Sequence, residues 1–356
     1  MPNLRFSIQA ALFAAALAAL GGIGYNVAAN LQKEHIHFGL GFLSQPAGFS
    51  VLQSLIPFDE SSTYGRAFVV GLLNTLLVAA IGIAFATVLG FGIGLARLAH
   101  NRPLRWLAAG YVELFRNLPL LLILFFFYFV ILRQLPPPRQ SYAFGGTLLN
   151  NRGLFLPGPD FGSRDLWLTL VASCCLFAGI LSRGRVRAAA LGLGALAFAS
   201  LAASVKVTWP ELKGLSVSGG LRLIPEFVAL AAALSIYTAA YIAEIVRAGI
   251  QSVSRGQVEA AEALGFSGWQ TAWLVVIPQA LRLIVPPLTS QYLNLTKNSS
   301  LAVAIAYPDL VSVFAGTTLA QTGQAVEIMA ITMGVYLFLS LLTAGLLNWR
   351  NVQAWA

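Results

Sequence analysis

From Gly71 to Ala96 the chain reads GLLNTLLVAAIGIAFATVLGFGIGLA, without one charged residue. Such a run exceeds the ~20 residues that cross a bilayer as a helix. In hydrocarbon a backbone must satisfy its own hydrogen bonds, so an open segment of this kind has to be helical. Similar runs recur along the chain, and hydrophobic residues make up 58% of the 356 against 10% charged. The apolarity is continuous rather than alternating, which argues against a β-barrel. The fold class is therefore an all-α polytopic membrane protein.

The pattern predicts about eight spans, near 8–29, 68–97, 108–132, 166–182, 187–205, 227–249, 284–315 and 326–348. The second and seventh are long enough to tilt, project from the bilayer or break. An even count puts both termini on one side. The short connections on that side carry Arg97, Arg102 and Arg105, then Arg183, Arg185 and Arg187, then Arg247, Arg255 and Arg282. Arginine packed into short connections marks the cytoplasmic face, so both termini are expected there. The net charge of +9 sits mostly at span ends and in connections, which fits anionic lipid and not nucleic acid. Arg5 ahead of the apolar stretch Ile8 to Val27 predicts an uncleaved anchor, since the stretch is longer than a signal-peptide core.

Two outer segments, 133–165 and 206–226, are rich in Pro, Gly and Asn or in polar residues, and the first cannot be regular structure throughout. They bracket the fourth and fifth spans, so 134–225 reads as an excursion inserted into a membrane core. The expected organisation is an anchor and outer loop at 1–65, core at 66–133, insertion at 134–225 and core again at 226–356. No polar stretch is long enough to bury a soluble core of its own. Cys174 and Cys175 are adjacent in an apolar run and read as packing residues. His35 and His37 have no third ligand in the pattern, so no metal site is expected. Gly90 and Gly94 form G-x-x-x-G, a signal for close helix packing.

Between the sixth and seventh spans lies QVEAAEALGFSGWQTAWLVVIPQALR, residues 257–282. Residues 257–264 are good helix formers, and Gly265 stops them. Ser267 with Gln270 three residues on is a capping-box pair that starts a second helix, expected to end before Pro278. On it Trp269, Trp273 and Val276 recur at helical spacing as one apolar face. The physical pattern allows two readings: a connector resting its tryptophans on the headgroup layer, or a rigid knob presented to a cytosolic partner.

The residues carry a resemblance that separates these readings. Glu259, Ala260, Ala261 and Gly265, followed by VVIP ending at Pro278, resemble the EAA loop of ABC importer permeases, which docks onto the ATPase subunit. The stretches 71–97, ELFRNLPLLL (113–122), AAYIAEIVRAGIQSVSRGQ (239–257) and LTKNSSLAVAIAYPDL (295–310) are similar to the polar amino acid uptake permeases. The anchor, LNNRGL (149–154) and the inserted spans resemble the longer general L-amino-acid permeases of that group. Small departures are VRAGI, where many relatives have two glycines, and KNSSL, where Thr-Ser commonly follows. The resemblance covers essentially the whole chain. It implies a type I ABC importer permease core with a two-helix insertion and a coupling loop over 254–282.

The same resemblance implies a bacterial inner-membrane subunit that forms half of an amino-acid pathway. Its expected partners are separate ATPase subunits, a second homologous permease and a periplasmic amino-acid-binding protein. No Walker P-loop is present, so this chain is expected to bind no cofactor, with ATP-Mg held by the ATPase partner. Ionisable groups in or beside spans mark substrate-path candidates: Lys297 with Asn298 and Ser299, Glu113 with Arg116 and Asn117, and Glu244 with Arg247. The two acid–arginine pairs at i,i+3 are equally readable as ion pairs at the cytoplasmic boundary. The competing function is an ion- or proton-coupled secondary transporter, for which no inverted repeat or paired broken helices are visible. A membrane enzyme ranks third, because no nucleophile–base constellation occurs.

Overall fold

The computed structural model describes residues 39–160, 171–175, 184–204, 206–214 and 216–355, with Gly179 and isolated positions between 11 and 26. The expected anchor at 8–29 and the span at 166–182 fall largely outside these residues, and His35 and His37 wholly so. The chain divides into two compact units, one of Met1–Thr75 with Pro308–Ala356 and one of Leu76–Tyr307. Helix α1, Tyr64–Ala96, supplies its start to the first and the rest to the second. Among the described residues four helices are long and apolar enough to cross a membrane, and five if a bent pair is counted as one span.

That bent pair corrects the expected span at 108–132. Helix α2, Arg102–Asn117, and helix α3, Leu120–Phe125, which runs on in π-helical form to Leu132, meet at 106°. Pro119 has no N–H to donate and holds Leu118 extended, at φ −95° and ψ 137°, which ends α2. Glu113, Arg116 and Asn117 therefore lie at the end of an amphipathic helix, just before the bend.

The long unit is organised around α5, Pro225–Gln251, whose Ala-rich sequence is buried along most of its length. Glycines on α1 and on α5 itself let backbones approach. A Cβ at Gly90 of α1 would lie 2.6 Å from the Ile242 Cβ, and one at Gly94 would lie 2.8 Å from the Val246 Cβ. On the other side of α5, a Cβ at Gly249 would lie 2.3 Å from Ile284 of helix α8, Ile277–Asn298. The expected G-x-x-x-G contact is thus with α5, and it holds α1, α5 and α8 side by side.

The segments 133–165 and 206–226 contain strands. In chain order these are β1 Tyr142–Phe144, β2 Thr147–Asn150, β3 Gly153–Leu156 and β4 Gly158–Asp160. After helix α4, Gly184–Ser204, come β5 Lys206–Thr208, β6 Glu211–Lys213, β7 Ser216–Ser218 and β8 Leu221–Leu223. An antiparallel sheet runs β1-β2-β3-β8, with Leu154 opposite Leu223 and Leu156 opposite Leu221. Gly145 and Gly146 both have positive φ and turn β1 into β2. Strands β4 and β5 pair antiparallel, Gly158 opposite Thr208, and so clip together the two ends of the excursion between them.

In the other unit Phe42, Ala47, Tyr64, Leu310, Phe314 and Ile328 form a small core, with the Phe42 and Phe314 rings stacked at 6.2 Å. Asn74 of α1 donates to the carbonyls of Gln53 and Pro308, at 2.8 and 2.9 Å, and the Leu310 N–H donates to Thr75 Oγ1. The expected seventh span, 284–315, is broken. Helix α8 passes into a 3-10 turn at Ser299–Ile305, ended by Ala306 in the left-handed region at φ 58°. The chain resumes as a π-helical stretch Val311–Thr318, then α9 Leu319–Thr322 and α10 Ala325–Trp355.

The tight α1–α5 contact makes Gly90 sensitive to size. Gly90→Leu is expected to destabilise the folded chain by about 1–3 kcal/mol through overpacking, and Gly92→Leu, where a Cβ meets nothing within 4 Å, to be nearly neutral. Thermal melting of the two variants in detergent checks this.

Candidate coupling site

The segment joining α5 to α8 is a helix, a turn and a second helix. Ser252 and the following residues lead from α5 into α6, Arg255–Ala263. The turn after α6 is fully wired: the Phe266 N–H donates to the Ala261 carbonyl at 3.1 Å and the Gly265 N–H to the Glu262 carbonyl at 2.9 Å. This is the paired 6→1 and 5→2 closure of a helix C-terminus, and it requires a left-handed residue at Gly265, which has φ 82°. A non-glycine residue there costs roughly 1–2 kcal/mol. Two residues later Ser267 starts α7, Gly268–Thr271, with both halves of the capping box formed. The Ser267 N–H donates to Gln270 Oε1 at 2.8 Å and the Gln270 N–H to Ser267 Oγ at 3.4 Å.

The second helix does not end before Pro278, as the sequence suggests. It widens to π-helical form over Ala272–Val276, where the Ile277 N–H reaches back to the Ala272 carbonyl, and continues as α8. In that wider register the proline lies in the first turn of α8, where a missing N–H is tolerated.

Both flanks of the loop thus join the same pair of packed helices, α5 and α8. Glu259, Ala260 and Gly265 are exposed, and Leu264 is 77% exposed at the tip. Ala261 is turned inward at 3% exposure, so it packs the loop instead of presenting a surface. Trp269 and Trp273 stand together, their rings 5.5 Å apart in an edge-to-face arrangement, and both are largely exposed. A Cβ at Gly265 would meet nothing within 4 Å. The glycine is required by its backbone angle, and the space in front of it is open.

The acid and arginine pairs differ from each other. Glu244 is bound by Arg247 on its own helix and by Arg97, one residue beyond the end of α1. The Arg247 Nε donates to Glu244 at 3.2 Å, and another of its nitrogens binds Gln251. The carboxylate and its arginines are therefore spent on each other, and they tie α1 to α5 just ahead of α6. The Glu113–Arg116 ion pair does not form: both are exposed, and the Arg116 guanidinium lies 5.4 Å from the centre of the Tyr241 ring. Asn117 is exposed beside them.

On α8, Ser299 is fully buried and its hydroxyl donates to the Thr296 carbonyl at 2.7 Å. Asn298 is half-buried, whereas Lys297 is exposed and its ammonium group has no hydrogen bond or ion pair among the described residues. Ser290, Asn294 and Lys297 recur at i, i+4 and i+7 and are all exposed, while Ile284, Leu288 and Leu295 face the core. Sequence reasoning names Lys297 but misses Ser290 and Asn294 beside it, and it misses the pairing of Arg97 with Glu244. The stripe is readable as polar residues at helical spacing, but which way it faces is not.

Comparison with known proteins places this geometry in a family. The family described as binding-protein-dependent transport system inner membrane component matches residues 86–350. YhdX of Escherichia coli strain K12, named as an amino-acid ABC transporter permease protein, is 49% identical over 98% of this chain and 94% of its own length. The general L-amino acid transport system permease protein AapQ of Rhizobium johnstonii is 46% identical over 93% of this chain and 87% of its own length. The glutamate/glutamine/aspartate/asparagine transport system permease protein BztB of Rhodobacter capsulatus is 38% identical, covering 97% and 92%. In fold, the chain is similar to a crystal structure of an amino acid ABC transporter with histidines, with TM-score 0.52 and 22% identity over 82% of this chain and 95% of that one. The chain belongs to the binding-protein-dependent transport system inner membrane components, the permease subunits of ABC transporters whose ATPase is a separate chain.

Proposed function

We propose that this chain forms one half of the translocation pathway of an amino-acid importer and receives its driving motion through the α6–Gly265–α7 loop. The observation that carries this reading is the shape of the loop. It is a knob with a wired turn, exposed at Glu259, Ala260, Leu264 and Gly265, and its two flanks enter two helices packed on each other. The amino-acid substrate class rests on the names of the relatives, all of which carry amino-acid or named amino-acid transport. The ABC-permease naming of those relatives favours this reading over an ion-coupled secondary transporter.

In this reading the loop docks on an ATPase subunit in the cytoplasm, and both termini lie on that side. A second homologous permease completes the pathway, an external binding protein delivers the amino acid, and ATP-Mg is held by the ATPase. The core is 66–133 with 226–356, and 134–225 is an outer insertion, a reading supported by the pairing of β3 with β8, which joins its early part to its last residues. Closure of the ATPase subunits displaces the knob. Because Gly249 seats against Ile284, and Gly90 and Gly94 seat against Ile242 and Val246, α8, α5 and the adjoining length of α1 move as one body. Arg97 bound to Glu244 fastens that body at the end nearest the loop.

The pathway wall is assigned to the stripe Ser290, Asn294 and Lys297. A polar stripe turned away from its own chain's core is costly against lipid and fits an aqueous path or a subunit seam. Lys297 there offers an unpaired cation to the α-carboxylate of the cargo, with Asn298 beside it. Among the other candidates, Glu244 and Arg247 act through their mutual pairing, while Glu113 and Asn117 are left without an assigned contact to substrate.

Two sets of variants test this in vesicles containing the assembled transporter. Glu259→Lys and Gly265→Asp are expected to abolish uptake while the chain still inserts and its ATPase partners still bind nucleotide, and normal uptake by both would overturn the docking role. Lys297→Met, lacking a charge-assisted hydrogen bond, is expected to raise the amino-acid concentration for half-maximal uptake about tenfold or more. An unchanged concentration dependence would remove Lys297 from the pathway.

A further inference from the structure

Helix α2 is the part of the long unit that the transport reading leaves unused. It starts at the loop end of that unit, because Arg97, five residues before Arg102, is bound to Glu244 in the part of α5 that leads to α6. It turns 106° from α3 and presents three faces. One packs on α5: Ala108 and Val112 are buried, and the Tyr111 hydroxyl donates to the Ile236 carbonyl at 2.7 Å. A second is apolar and open, with Leu107 75% and Leu114 54% exposed. The third is charged, with Arg102, Arg105, Glu113 and Arg116 along one stripe.

We propose that α2 is an in-plane interfacial helix whose basic stripe binds the headgroups of anionic phospholipids. A helix with one apolar and one arginine-bearing face, bent 106° from the apolar helix that follows it, has the form of a segment lying in the headgroup–acyl boundary. Three arginines against one glutamate make the stripe cationic. The guanidinium groups of Arg102 and Arg105 have no hydrogen bond or ion pair among the described residues, so their planar donor forks are available to phosphate oxygens. Trp106, 73% exposed and one helical turn after Arg102 at the edge of the stripe, sits where indole rings anchor helices at the interface. Each basic residue at such a surface enriches anionic lipid roughly fivefold. The apolar face takes acyl chains of the same lipids, and a second permease chain covering that face is the alternative that the test separates. The proposal rests on the reading of the loop side as cytoplasmic only for the choice of leaflet.

The test uses the assembled transporter in phosphatidylcholine vesicles containing either brominated phosphatidylcholine or brominated phosphatidylglycerol. The Trp106 contribution to fluorescence is obtained by difference from Trp106→Phe. The expected result is quenching by the anionic lipid at least about fivefold more effective than by the zwitterionic one, falling to parity in Arg102→Gln/Arg105→Gln and at high salt. Equal quenching by the two lipids in the unaltered chain, or selectivity surviving in the double variant, would overturn headgroup binding. Absence of quenching by either lipid would overturn it too, by showing the face covered by protein. The readout needs no transport, so its failure leaves the importer reading standing, and a failure of uptake leaves this measurement intact.

Discussion

The close approach of α1 to α5 is the contact on which the rest of the long unit depends. With only hydrogen at Gly90 and Gly94, Ile242 and Val246 press against backbone, where a methyl group would already collide. Little hydrophobic driving force separates helix from lipid in a bilayer, so packing of this kind supplies the association. Gly249 repeats the device between α5 and α8. A helix trio so joined is stiff, and stiffness is what a loop needs if motion at its tip is to reach the membrane.

The charges near the loop reinforce this arrangement. Glu244 holds Arg247 along its own helix and Arg97 across to α1. A carboxylate engaged twice is poorly available to a passing substrate, so its value lies in position: it closes the α1–α5 contact at the end where α5 gives way to α6. Lys297 is the opposite case. Its ammonium group has no partner within the described chain, and it shares an outward stripe with Ser290 and Asn294.

Local chemistry makes the coupling loop legible in the sequence. Gly265 and the Ser267–Gln270 pair have mechanisms confined to a few residues, and both form as expected. The differences arise where the deciding partner is distant or a local signal has two outcomes. Pro278 has the look of a helix stop, but a π-helical stretch ahead of it lets the helix continue. Pro119 is inconspicuous inside an apolar run, yet it ends one helix and turns the next through 106°. The Gly-Gly pairs at 145–146 and 219–220 are visible as turn signals, whereas strands of three or four residues show too little alternation to be read. Arg97 lies 147 residues from Glu244, and nothing in either neighbourhood names the other.

The central claim is that the exposed tip of the α6–Gly265 turn meets the ATPase. A single reactive thiol at Leu264, introduced as Leu264→Cys with Cys174 and Cys175 replaced by Ser, addresses it directly by cross-linking in native membranes. The expected product is an adduct whose second component is the ATPase subunit, formed in a transporter that was active before treatment. A fully active transporter that yields no such adduct, or a thiol that reacts only with lipid-soluble reagents, would contradict it.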